Sequence, residues 1–239
     1  MFSAYNIKKY KKIGLVLYAR MSSNRLPGKV FLKLKKNKTV LEFILDNLKK
    51  SKFNKKIILA TSNLKVDKEI VNLSKKLRVN IYIGDHLNVF LRTKDCIEKF
   101  NLDYIIRICA DRPFFDVKLM DKMIKIILTN NYDIVTNVFP RTYPKGLTCE
   151  VAKSRIFTRV NAKKLCKNDK EHIFDFFYKS KKYKIFNLAS NFKKDFIAQN
   201  FCIDNKYDFH KVKKILNFFE KKKLSLNTTN LKMFYEQQK

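Results

Sequence analysis

Two groups of residues in this 239-residue chain have the types and spacing for chemistry on a polyphosphate. The first is the run Tyr18-Ala19-Arg20-Met21-Ser22-Ser23-Asn24-Arg25-Leu26-Pro27-Gly28-Lys29, which follows the apolar residues 13–17. It holds three fixed cations, two hydroxyls and a Pro-Gly pair. Guanidinium forks and an ammonium pair with phosphate oxygens, and small residues let backbone N–H groups approach them. The second group is a pair of aspartates, each just past an apolar run: Asp111 in Arg107-Ile108-Cys109-Ala110-Asp111-Arg112-Pro113 and Asp204 in Phe201-Cys202-Ile203-Asp204-Asn205. Two strand-end carboxylates beside such a loop suit Mg²⁺, which binds through one or two carboxylates plus phosphate oxygens. Plainer roles stay open at this level. The loop could be solvated and Asp111 could pair with Arg112 in a turn. Asp204 could be the N-cap of the following helix.

These residues need elements to hold them. The apolar pattern predicts strands over 13–17, 56–60, 79–83, 104–109 and 133–138, and helices over 39–50, 67–77, 87–100 and 116–130. Thr39 followed by Glu42 reads as a capping box at a helix start. Alternation of this kind gives a mostly parallel α/β sheet flanked by helices, whose ligands bind at the C-terminal strand ends. The pattern changes after Pro140. A turn-rich loop leads into the segment 147–151. Helices are expected over 154–166, 171–180 and 206–221, and strands over 184–188 and 199–203. No linker or repeat divides the chain, so it reads as one domain in which about 140–190 forms a small lobe or dimerisation flap. Within it Phe174, Phe176, Phe177 and Tyr178 make an aromatic cluster, for which ordinary helix packing is favoured slightly over an interface.

Composition narrows the class. The net charge of +32 invites a nucleic-acid reading, but only nine of the 53 basic residues are Arg and the lysines are scattered along the chain. Nucleic-acid modules concentrate charge on one face. No specific nucleic acid is therefore expected. No apolar run is long enough to span a membrane, and the first twelve residues lack the apolar core of a signal peptide. The five cysteines are scattered, with no CxxC pair, which fits a reducing cytoplasm. His86 and His210 read as solvated surface residues.

The segment ARMSSNRLPGK resembles the opening signature of the acylneuraminate cytidylyltransferases, particularly the spore-coat polysaccharide cytidylyltransferase branch. That branch is related to enzymes that activate 3-deoxy-manno-octulosonate. The resemblance runs from about 13 to 220. It includes Ala60–Asn63 (ATSN), Gly84–Arg92, RICADRP, Tyr143–Glu150 (YPKGL-x-x-E), Glu171-His172 and IDNKYDF. It implies a Rossmann-like nucleotidyltransferase that transfers CMP from CTP to an acidic or related sugar, releases pyrophosphate, uses Mg²⁺, forms a homodimer and serves surface glycan synthesis. Carried over by position, Ala19, Arg20, Ser22, Arg25, Lys29, Thr61, Ser62 and Asp111 would bind the nucleotide. Arg20, Lys29 and Asp111 would act in catalysis, and Asp111 with Asp204 would hold the metal. Arg107, Tyr143, Lys145, Glu150 and His172 would face the sugar.

The chain departs from the family pattern at Tyr18 (commonly Gln), Ala110 (commonly Gly), Asn88 and Leu91 (commonly acidic), and Thr148 (commonly Asp). The nucleotide half is better kept than the acceptor half. A glycosyltransferase on the same kind of sheet would show a D-x-D motif after a strand, which neither Asp111-Arg112-Pro113 nor Asp85-His86-Leu87 supplies. That reading and a basic nucleic-acid-binding protein are the alternatives.

Overall fold

The computed structural model describes residues 12–238. The Lys-rich start, including Lys8, Lys9 and Lys11, lies outside the described residues, as does most of the stretch read for a signal peptide. In chain order the elements are β1 Ile13–Tyr18, β2 Lys33–Lys35, β3 Lys38–Thr39, α1 Val40–Leu48, β4 Ile57–Ser62, α2 Lys68–Lys76, β5 Asn80–Gly84, α3 Val89–Phe100, β6 Tyr104–Cys109 and α4 Val117–Thr129. Then come β7 Ile134–Thr136, β8 Glu150–Lys153, α5 Arg155–Thr158, α6 Lys167–Glu171, α7 Asp175–Tyr178, β9 Ile185–Asn187, α8 Lys194–Ile197, α9 Lys206–Lys221 and α10 Thr228–Glu236.

Seven strands form the central sheet in the order β5-β4-β1-β6-β8-β7-β9. All pairs are parallel except those of β8, which runs antiparallel between β6 and β7. From β1 the chain builds outward to β4 and β5, then returns to place β6 on the other side of β1. The direction of build-up therefore reverses at β1 and β6. Ligands of open α/β sheets bind in the crevice at such a point.

Strand side chains alternate between faces, and the core divides accordingly. Leu15, Leu17, Leu59, Ile106 and Ile108 face one layer, built mainly by α1, α4, α9 and α10. Val16, Ile58, Ala60, Ile105, Ile134 and Ala152 face the other, built by α3, α5 and α7. Phe174 and Phe177 belong to that second core and are 1% and 0% exposed. Phe177 meets Phe157 and Phe90 at ring separations of 4.9 and 5.8 Å. Their burial matches the helix-packing reading of the aromatic cluster.

The capping box is present at α1, with the Glu42 N–H donating to Thr39 Oγ1 and the Thr39 N–H to Glu42. Other expectations are corrected. The helix expected over 154–166 stops at Thr158, and the Asn161 side chain accepts from the Lys163 N–H in a turn beyond it. The helix expected over 171–180 is only Asp175–Tyr178. Residues 199–203 form no strand. One isolated bridge joins Asn200 to Lys145, and the Asn200 side chain accepts from the Cys202 N–H at 2.9 Å. The N-cap of α9 is Asn205, in a capping box with Asp208, so Asp204 is not the cap. The β2–β3 hairpin and α10 were not expected. Among the described residues no helix is long and apolar enough to cross a membrane.

Candidate active site

The loop after β1 turns at Gly28, whose φ of 68° is left-handed, and the Gly28 N–H closes the turn on the Met21 carbonyl at 2.9 Å. The far side of the loop is tied to β4. Fully buried Asp67 accepts from the Met21 N–H at 2.7 Å and from the Ser62 N–H and hydroxyl. The Lys29 side chain, 12% exposed, is thereby directed inward. Its ammonium lies 3.3 Å from Asp111 Oδ2 and 3.8 Å from Asp204 Oδ1, and donates to the Ile203 carbonyl at 2.6 Å.

The two aspartates are brought together by backbone. The Ile203 N–H donates to the Asp111 carbonyl at 2.8 Å, and Phe201 N–H to the Lys145 carbonyl at 2.8 Å. Gly146, at φ 99°, permits this last approach: a Cβ there would sit 2.7 Å from the Phe201 carbonyl carbon. Asp204 Oδ1 also meets Arg25 Nη2 at 2.8 Å, and Oδ2 accepts from Lys145 Nζ at 2.9 Å. Burial pushes its pKa up, but Lys145, Lys29 and Arg25 outweigh burial and hold it below the usual carboxylate value. Asp111 Oδ1 is buried without a hydrogen-bond partner. Among the described residues no group of three or more His, Cys, Asp or Glu gathers as a metal cluster. The unpartnered donor is Asp111 Oδ1, which fits a hard cation that takes its remaining ligands from phosphate or water; Asp204 could join it only by exchanging its contacts with Arg25, Lys29 and Lys145.

These groups line a cavity of about 670 Å³ at the β1/β6 crevice. Its lining carries eight Arg or Lys against five Asp or Glu, a balance that favours an anionic ligand. Ala19, Arg20, Arg25, Lys29, Arg107, Asp111, Lys145, Glu150, His172 and Asp204 all line it. Arg20 reaches Glu171 at 3.6 Å, at the C-terminal end of α6. Arg107 and Glu150 face each other across the β6–β8 ladder and pair at 2.9 Å. Glu150 also accepts from the Tyr178 hydroxyl at 2.8 Å. Arg112 donates to Thr148 Oγ1 at 2.6 Å, so the threonine that departs from the family pattern still receives this guanidinium.

Four expected site residues are placed elsewhere. Thr61 and Ser62 are 0% and 1% exposed inside β4 and do not line the cavity. The Ser62 hydroxyl is directed to Asp67. Tyr143 packs edge-on against Phe192 at 5.3 Å. Ser22 is not part of the lining either, and its hydroxyl is buried without a partner. One residue was missed: Asp67, which anchors the first loop. Arg92, the last residue of the Gly84–Arg92 motif, was given no site role; it lines the cavity from α3, where it shares the inward face with Thr93 and Cys96.

The family model for cytidylyltransferases matches residues 13–239. An uncharacterized protein of Methanocaldococcus jannaschii is 35% identical over 180 residues, 74% of this chain and 72% of its own. The spore coat polysaccharide biosynthesis protein SpsF of Bacillus subtilis is 28% identical over 152 residues, 61% of either chain. The structure of a cytidylyltransferase from Leptospira borgpetersenii superposes with a TM-score of 0.84 at 27% identity, covering 94% of this chain and 92% of that one. With the crevice, the cationic first loop and the paired aspartates in place, the match over nearly the whole described chain settles the family: this chain belongs to the cytidylyltransferase family.

Proposed function

We propose that the chain transfers the cytidylyl group of CTP to a hydroxyl of an acidic or related sugar, with release of pyrophosphate and with Mg²⁺ as the metal. The observation that carries this reading is the convergence of Lys29, Asp111 and Asp204 in a cationic cavity at the β1/β6 crevice. In the reaction the sugar oxygen bonds to the α-phosphorus as the α–β bridging P–O bond breaks. Pyrophosphate leaves with that bond pair, and the hydroxyl proton passes to solvent.

Such a displacement needs positioning and charge stabilisation rather than a covalent nucleophile. Arg25 and Lys29 hold the outer phosphates and offset charge building on pyrophosphate. Arg20 closes the same loop from the side of α6. Asp111 and Asp204 would hold the divalent cation. When bound, that cation supplies charge that polarises the α-phosphate and makes the sugar hydroxyl more acidic. Arg107, Lys145, Glu150 and His172 lie on the β8 and α6 side of the cavity, where the acceptor would rest.

SpsF is named for spore coat polysaccharide biosynthesis, which supports a role in making a surface glycan; a cytoplasmic location is proposed from the scattered cysteines. The acylneuraminate branch and a homodimer are proposed on motif resemblance alone. The test is pyrophosphate release from CTP and Mg²⁺ with a panel of acidic sugars. Release with CTP and at least one sugar, and none with ATP, GTP or UTP, is expected. Equal binding of all four nucleotides without release would mean bulk polyanion attraction instead, and equal release from all four would overturn the preference for CTP.

A further inference from the structure

Arg92 stands apart from the other arginines of the cavity, of which Arg141 is exposed to solvent. Arg20, Arg25 and Arg107 each reach a carboxylate, and Arg112 reaches Thr148. Arg92 is 3% exposed, yet its Nε and Nη1 have no hydrogen-bond partner among the described residues. A guanidinium with two of its nitrogens removed from water and left unpaired is unfavourable, because the lost hydration at those nitrogens is not replaced.

The surrounding residues hold it in that state. Its backbone N–H donates to the Asn88 carbonyl at 3.0 Å in the first turn of α3. The next residue, Thr93, shares a hydrogen bond of 2.8 Å with the Tyr18 hydroxyl, which fixes this helix face against β1. Gly84, at the end of β5, makes room for the stem: a Cβ there would lie 2.8 Å from Arg92 Cγ. Among the charged groups around it, Arg20 repels the guanidinium while Asp67, Asp85 and the Tyr18 side chain favour its charge from a distance. Burial outweighs them and pushes its pKa down.

We infer that Arg92 is an oxyanion-binding residue of the cavity, built to receive a carboxylate or phosphate oxygen of a bound substrate. A neutral ring would leave the buried charge unbalanced, whereas an anion pairs with it in a water-poor site. The chemistry is common to two sources, the carboxylate of an acidic acceptor and a phosphate of the nucleotide. The inference uses the cytidylyltransfer reading to name those sources. The oxyanion site itself stands on the burial and the absent partner.

The test compares the full chain with Arg92→Met and Arg92→Lys. Without ligand, Arg92→Met should melt at the same temperature or higher, since a buried unpaired cation has been replaced by an apolar side chain of similar length. A fall of several degrees would mark Arg92 as structural and overturn the inference. Calorimetric titration then uses CTP, CMP, cytidine and 3-deoxy-manno-octulosonate with Mg²⁺. At least a tenfold loss for CMP with cytidine unchanged assigns the oxygen to phosphate. The same loss for 3-deoxy-manno-octulosonate with CMP unchanged assigns it to a carboxylate. Arg92→Lys should recover part of either affinity, as a point charge without the fork. An equal loss for cytidine, or no loss for any probe, overturns the proposal. Wild-type protein that does not prefer CTP would sink the cytidylyltransfer reading. The Arg92 comparison would then be read from inorganic phosphate and the sugar acid, with no loss for either overturning it.

Discussion

The Met21 N–H donates to the buried Asp67 carboxylate at 2.7 Å, joining residues 46 apart in the chain. This bond ties the cationic loop after β1, which carries Arg20, Arg25 and Lys29, to the end of β4. Asp67→Ala removes a charge-assisted acceptor and leaves the Met21 N–H and Ser62 hydroxyl without it. It should cost roughly 1.5–3 kcal/mol of stability and weaken CTP binding as the loop loosens. Urea unfolding and CTP titration measure the two effects. Unchanged CTP affinity at reduced stability would show that the tie supports the fold without positioning the loop.

Lys29→Ala and Arg25→Ala should weaken CTP binding more than CMP binding, because both cations are assigned to the outer phosphates. Each lost contact should cost about 1.5–3 kcal/mol. Parallel titrations of CTP and CMP decide it, and equal losses would move these residues to the α-phosphate.

Asp111→Asn should keep the fold and much of the nucleotide affinity, since the cationic loop is intact, but lower turnover about a hundredfold or more. Asp204→Asn should act similarly. Because Asn205 caps α9, position 204 has no capping role in which Asn could substitute. Turnover against Mg²⁺ concentration, with circular dichroism as the folding control, is the measurement. Near-normal turnover and metal dependence in Asp111→Asn would remove the proposed metal site.

Asp204 also gives a pH signature. Burial raises its pKa, but its contacts with Lys145, Lys29 and Arg25 outweigh burial and depress it in the folded protein. A depressed carboxylate contributes stability that is present above its unfolded pKa of about 3.9 and lost as pH falls through the lower folded value. Wild type should therefore lose more stability than Asp204→Asn as pH falls below about 4. Parallel acid denaturation curves would contradict the ion-pair cluster.

The buried pair of Arg107 and Glu150 predicts strong non-additivity. Arg107→Met alone leaves Glu150, whose side chain is 5% exposed, without its cation and should cost about 3–5 kcal/mol. Adding Glu150→Gln should recover a good part of that. A double variant whose loss equals the sum of the single losses would mean the two side chains do not depend on each other.

Much of this was readable in the chain itself. Mainly apolar runs announced β1, β4 and β6, because strands covered on both faces bury most of their side chains. The loop after β1 and the two aspartates were legible from composition, because cations and carboxylates at strand ends rarely serve the core. What failed was long-range pairing. Residues 199–203 look like a strand, and Phe201, Cys202 and Ile203 are indeed buried. Their backbone groups, however, bond to Lys145 and Asp111 in two loops rather than to a ladder. Thr61 and Ser62 sit in a motif that resembles a base pocket, but side chains within β4 cannot reach past its neighbours. Arg92 was legible as part of the Gly84–Arg92 motif, but helical periodicity alone could not tell that this inward-facing cation lines the cavity.

Gly146 has a consequence for changing what this enzyme accepts. A side chain at 146 would strike the backbone of Phe201, and 143–148 and 199–204 are joined there by backbone hydrogen bonds of Lys145 with Gln199 and Phe201. One of these segments carries Lys145 and the other carries Asp204, and the two side chains pair at 2.9 Å. Grafting a foreign loop between β7 and β8 would therefore also disturb the placement of Asp204. Segment exchange has to be done in matched pairs, and libraries that randomise only one of the two will be dominated by inactive chains.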